Sequence, residues 1–272
     1  MPPNRDPHAP ERQDHGLWAT LAKTHAAGAM LPRHQHGRGQ LVFGTSGVML
    51  VETANVQWTV PPQRALWIPH RQPHTVRTLS STDMRTVYFQ PALIARCLPA
   101  QRLDQVHAVA ASPLIRELVL GLFDAQFDHA THEAMAGLLL RTLRHAPALP
   151  ISLPMPADAR LHRALALLLQ AQAWHWPIER LAQEAAMSER SFTRHFTGDM
   201  GMSFRAWRQR ARVIASLDLL NAGRPVKAVA RQLQFASDAA YVAAFRDLLG
   251  CTPSAFRSQT QEVEASKAPA RS

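Results

Sequence analysis

The sequence predicts an α+β chain: a small β-barrel or sandwich carrying a pair of helices, followed by an all-helical domain. Three observations predict it. Between residues 16 and 90, short runs of strand formers (QLVFG, GVMLVET, VQWTV, ALWIP, HTVRT, MRTVYFQ) alternate with turn residues, and so many short strands imply a closed or two-layered β structure. From Pro91 the apolar spacing becomes helical. Beyond residue 158 the helical pattern contains a repeat of itself. The 272 residues suit two domains, at roughly 100–200 residues each.

Taken in order, residues 1–15 are polar and proline-rich and read as a tail, with no signal peptide. The strand-rich stretch 16–90 forms the barrel. In 91–145, Leu114, Leu118 and Leu122 share one face, with Ile115, Val119 and Phe123 beside them. Met135, Leu138, Leu139, Thr142 and Leu143 form a second face, giving two helices joined through DHATHE at 128–133. This pair either covers its own barrel or joins two copies in a homodimer. Residues 146–158 hold four prolines, which remove backbone donors and favour extended neighbours, and they read as a linker. Helices follow at 159–173, 178–185, 189–197, 203–221, 226–233 and 237–249, with a short turn at 253–258. Residues 261–272 read as a second tail. Ser188, Ser203 and Ser237 stand at helix starts as hydroxyl caps, and Gly201 and Gly250 follow helix ends.

A formal charge of +10 and a pI near 11.0 favour a polyanionic partner, with nucleic acid ahead of a membrane surface. Residues 155–260 carry 14 Lys and Arg against 8 acids, whereas residues 1–154 carry 14 against 10. Of the 30 cations 27 are arginine, which suits bidentate contacts to phosphate and guanine. Cys97 and Cys251 form no motif, so reduced thiols and a cytoplasmic location are expected. The apolar run ALALLL at 164–169 is far short of the roughly 18 residues of a membrane span, and no membrane partner is expected.

The repeat decides what the helical domain does. IERLAQEAAMSERSFTRHFTGDMGMSF from Ile178 aligns with VKAVARQLQFASDAAYVAAFRDLLGCTP from Val226, with one residue added at the turn. Met187 matches Phe235, Phe192 matches Tyr241, Phe196 matches Phe245 and Gly201 matches Gly250. Each unit is a short helix, a turn closed by a large apolar residue, and a second helix with an aromatic pair at i and i+4. That is a helix-turn-helix. The connecting helix from Ser203 to about Asn221 spans about 28 Å, near the roughly 34 Å between successive major grooves. LAQEAAMSERSFTRHF, GMSFRAWRQRARVIASLDLL and VKAVARQLQFASDAAYVAAFRDLLGCTPSAFR together resemble the DNA-binding domain of the AraC family of transcription regulators. Gln234 departs from that pattern, because glycine usually precedes the aromatic of the second turn.

With Phe192 and Phe196 inward, the first unit's second helix presents Arg190, Ser191, Thr193 and Arg194 after its cap Ser188. Arginine pairs with guanine O6 and N7, and hydroxyls take bases or phosphates. The resemblance places Arg190, Thr193 and Arg194 at base-contacting positions. The second unit offers Ser237, Asp238, Ala239, Val242 and Ala243, with Arg246 further on. The first unit is therefore expected to supply most base readout, and the second to contribute shape and phosphate contacts through Ser237 and Arg246.

In the first domain, Gly28, His34, His36, Gln40 and Gly47 reproduce the spacing of the first cupin motif, with Gln40 in place of the usual glutamate. Pro69-x-Arg71-x-x-His74 resembles the second, with arginine where glycine is common. His34 and His36, two apart on a strand, would face one way and meet His74. Three imidazoles and an amide oxygen suit zinc or nickel; the alternative is a pocket for an organic effector without metal. His70 is expected at the rim. PPQRALWIP also fits AraC-type regulators with a cupin sensor, which implies an effector near His34, Gln40, Trp67 and His74. The expected function is operator-DNA binding controlled by an effector or metal, with RNA polymerase a further partner of an activator. A cupin metalloenzyme bearing a DNA-binding domain and a non-specific architectural DNA binder are the alternatives.

Overall fold

The computed structural model describes residues 11–98 and 103–258. In chain order the strands and helices are β1 Glu11–Asp14, β2 Trp18–His25, β3 Met30–His34, β4 Gly39–Ser46, β5 Met49–Glu52, β6 Val56–Val60, β7 Arg64–Ile68, β8 His74–Thr78 and β9 Thr82–Phe89, then α1 Pro91–Cys97, β10 His107–Ala110, α2 Pro113–Gly121, α3 His129–His145, β11 Ala148–Leu149 and β12 Ser152–Pro154. Then come α4 Ala159–Gln170, α5 Ile178–Glu184, α6 Glu189–Met200, α7 Phe204–Asn221, α8 Val226–Gln232 and α9 Asp238–Leu249, and residues 253–258 are helical as well. They form two units, one within residues 1–50 and 60–149 and the other within 51–59 and 150–272.

In the first unit a sheet of order β1-β2-β9-β4-β7-β10-β11 is antiparallel throughout its recorded pairings. A second pairing sets β3 against β8, with His34 opposite His74. Side chains alternate across a strand, so each strand of the large sheet has two faces to satisfy. One face is apolar: Trp18, Leu41, Phe43, Trp67 and Phe89 pack with Leu93, Ile115, Leu118, Leu122 and Leu139 from α1, α2 and α3 and the α2–α3 connection. Leu118 and Leu122 are thus buried in their own unit, while Leu114 is 50% exposed.

The proposed tail 1–15 ends too late, because Glu11–Asp14 pair with β2 as β1. DHATHE is not a connection. Asp128 caps α3, its carboxylate accepting from Thr131 N at 2.8 Å, and 129–133 are already helical. The proline-rich segment 146–158 is not irregular either. β11 pairs with β10, and β12 with β6. Prolines 150 and 154 fall between and at the end of these short edge strands, where a missing N–H breaks no ladder. Residues 259–272, with the proposed tail at 261–272, lie outside the described residues.

The second unit follows the expected helix order. Ser188, Ser203 and Ser237 accept from the backbone N–H groups of Ser191, Ala206 and Ala240 at 3.2, 3.2 and 3.1 Å. Gly201 and Gly250 end α6 and α9 at φ 63° and 73°, a conformation that glycine adopts without a Cβ penalty. Phe192, Phe196, Phe204 and Trp207 form a ring cluster in the first helix-turn-helix; Tyr241, Phe245 and Phe256 form another in the second. β12 is fastened to α7: Trp207 Nε1 donates to Pro154 O at 2.7 Å, and Arg210 Nε to Ser152 O at 2.7 Å. Among the described residues no helix is long and apolar enough to cross a membrane.

Candidate functional site

Within the first unit, His34 ends β3, His74 begins β8, and His36 lies two residues beyond β3. The strand does not run through both His34 and His36 as expected, since the pairing is irregular between Leu31 and His34 and β3 stops there. A turn brings His36 round instead. Arg71 N donates to His36 O at 2.7 Å, and His36 Nδ1 donates to Arg38 O at 2.7 Å. The three rings still converge, with a nitrogen from each inside a cluster whose members lie within 4.8 Å of one another. His34 and His74 are 4.3 Å apart between ring centroids.

The Nδ1–H groups of His34 and His74 donate to Pro32 O and Gln72 O, both at 2.9 Å, which fixes the tautomer and leaves each Nε2 with a lone pair. His74 is 1% exposed and its Nε2 has no hydrogen-bond partner. Burial pushes its pKa down to about 4, so the imidazole is neutral near pH 7. His36 Nε2 lies 2.8 Å from Gln40 Oε1, and the Gln40 amide nitrogen lies 3.4 Å from Tyr88 Oη. Beside this cluster opens a cavity of about 420 Å³ lined by His34, His36, Gly37, Arg38, Tyr88 and Gln90.

Two corrections follow from the pleat. Trp67 does not join the pocket: it stands opposite Leu41 in the β4–β7 register, on the apolar face, and is 0% exposed with its Nε1 donating to Leu103 O at 2.8 Å. Gln40, one residue from Leu41, faces the other way. The sequence reading missed Tyr88, Gln90 and Arg38. Tyr88 stands opposite Gln40 in the β4–β9 register, and Gln90 is two residues on, a parity already present in MRTVYFQ. His70 is exposed, as expected of a rim position.

In the second unit, α6 holds Arg190, Thr193 and Arg194 exposed, with Glu189, Thr197 and Gly198 around the same surface depression. Ser188 and Ser191 are partly occupied, since the Ser188 hydroxyl accepts the cap bond and donates to Ser191 Oγ at 3.0 Å. α9 presents its cap Ser237, a half-buried Asp238, exposed Ala239 and Ala243, and exposed Arg246 in its last turn. Three arginines of α7 face the protein's own carbonyls: Arg208 Nη1 donates to Trp176 O at 2.8 Å, Arg210 to Ser152 O, and Arg212 Nη2 to Trp174 O at 3.1 Å. Burial lowers the pKa of all three.

Residues 20–189 match a family model described as AraC-like ligand binding domain, and residues 181–259 match one described as helix-turn-helix domain. The chain is 28% identical over 240 residues to the HTH-type transcriptional regulator NimR of Escherichia coli K12, covering 87% of this chain and 86% of that protein. It is 25% identical over 210 residues to the arabinose operon regulatory protein of the same strain, covering 76% and 65%. A crystal structure of the DNA-binding domain of AdpA, a global transcriptional factor, in complex with a target DNA is 29% identical, covers 41% of this chain and 98% of that one, and gives a TM-score of 0.35.

Proposed function

Because this chain belongs to the AraC family of DNA-binding transcription regulators, with an N-terminal ligand-binding domain and a C-terminal helix-turn-helix reader, we propose that His34, His36 and His74 hold the controlling ligand, a divalent transition ion such as zinc or nickel. The observation that carries this reading is the buried, unpartnered Nε2 of His74, beside two further imidazoles, with one nitrogen of each of the three rings within 4.8 Å of the others. Gln40 stands at His36 as a neutral fourth group. Such an ion would supply positive charge that attracts an oxygen or nitrogen donor of a small effector in the adjoining cavity. The site is a sensor rather than a catalytic centre. Ligand binding changes the population of chains able to hold operator DNA in the cytoplasm, alone or as a homodimer, and an activator would also engage RNA polymerase.

At the operator, Arg190, Thr193 and Arg194 of α6 read base edges. Ser237 and Arg246 of α9 contact phosphates, with Asp238 excluding bases that present acceptors. Metal analysis of purified full-length protein tests the sensor half: about one ion per chain is expected, lost in His34→Ala and in His74→Ala. Negligible metal, or metal retained in both variants, overturns it.

A further inference from the structure

α7 joins the two helix-turn-helix units, and its 18 residues span about 27 Å at 1.5 Å per residue. A connecting helix fixes the distance between two small modules. It does not by itself fix their rotation about its axis, and a chain that grips two grooves must fix both. Each module is held against this helix by its own packing, and a side chain that touches both modules at once adds a direct tie between their orientations.

A side chain of α7 does this. Arg212, in the middle of α7, donates from Nη2 to Trp174 O at 3.1 Å, in the corner that leads into α5 and the first module. Its guanidinium carbon also lies 5.5 Å from the ring centre of Phe235, the residue that closes the turn of the second module. Phe235 is tied into that module on both sides: its N–H donates to Ala230 O at 3.0 Å, and its ring packs 5.1 Å from Tyr241 of α9. The same two segments meet again where Gln234 Nε2 lies 3.4 Å from His175 Nδ1. Arg208, one turn earlier, bonds only the first-module corner at Trp176 O and lies over Phe204. A planar guanidinium can donate in its plane while its face covers an aromatic ring; an ammonium cannot do both in the same way.

We propose that Arg212 is a positioning residue that sets the angle between α6 and α9, and thereby the spacing between the two DNA segments that the chain accepts. It touches no DNA itself. The inference rests on the reading that α6 and α9 engage one duplex together.

The test uses full-length protein and a duplex selected by the wild type from a random pool. One base pair is inserted between the two protected segments, which turns one groove by about 35° relative to the other. The wild type is expected to lose about tenfold or more in affinity on insertion, comparable to a mismatched base pair. Arg212→Met should bind the two duplexes within about threefold of each other, less than one full mismatch in the site, while keeping the wild-type preference at single bases inside each segment. Phe235→Leu, which keeps an apolar plug in the turn but removes the ring face, should shift in the same direction and carries the test if Arg212→Met does not fold. A folded variant that retains the full insertion penalty overturns the role of Arg212. A wild type indifferent to the insertion removes the two-groove premise, and the proposal with it.

Discussion

In the first helix-turn-helix unit, α6 turns Arg190, Thr193 and Arg194 outward near its start; in the second, α9 turns out alanines there, with Asp238 half-buried and Arg246 and Asp247 exposed only in its last turn. Beneath those surfaces the two units are nearly the same object. Each second helix starts at a serine cap, buries an aromatic pair at i and i+4, and ends at a left-handed glycine. Even the turns agree, with Ala186 at φ 52° and Gln234 at φ 58°. The two frames share their internal packing, apart from the buried hydroxyl of Tyr241 where the first unit has Phe192, and differ most in the donors on the face that points away. Matched substitutions inside the two units should therefore act alike on stability, and matched substitutions on the outer faces should act differently on DNA.

The largest effect is expected from the cores. Phe196→Ala and Phe245→Ala, both fully buried, should each destabilise the reader by about 3–5 kcal/mol in denaturant unfolding. A gap of several kcal/mol between them would break the equivalence of the units. On the outer faces, Arg194→Ala should weaken binding to a selected operator by about 1–3 kcal/mol and relax base preference. Arg246→Ala should weaken all sequences about evenly and reduce the slope of log affinity against log salt by about one. Removing the caps comes next: Ser188→Ala and Ser237→Ala should each cost about 1 kcal/mol of stability. The smallest effect has the opposite sign. Ala186→Gly and Gln234→Gly relieve a side chain held at positive φ and should raise stability by about 0.5–1 kcal/mol each, visible as a small increase in Tm.

The helices of the reader are legible in the sequence to within three residues at each end, because short-range periodicity, caps and a repeat specify helices locally. The sensor was less so. β2 carries Lys23 and several half-buried positions, β10 has four residues, and α1 has seven, too short for a helical period to declare itself. The histidine cluster was legible because glycine and histidine spacing marks it. Trp67 was misplaced because membership of the pocket depends on pleat parity, and parity depends on a register no single strand reveals: Gln40 opposite Ile68 puts Leu41 and Trp67 on the apolar face. Composition misled in one further respect. All 14 Lys and Arg of residues 155–260 enter the charge count alike, yet Arg208, Arg210 and Arg212 donate inward to carbonyls at Trp176, Ser152 and Trp174. Net charge does not record which way a side chain points.

The central claim is that one unit chooses the sequence while its near-copy holds on. Selection of binding duplexes from a random pool by wild type, Arg194→Ala and Arg246→Ala, at one salt concentration, tests it most directly. The account predicts two protected segments, with base preference in the segment under α6 flattened by Arg194→Ala and the whole profile unchanged by Arg246→Ala. If Arg194→Ala left the profile intact, or if Arg246→Ala erased the preference in its own segment, the division of labour between the two units would be contradicted.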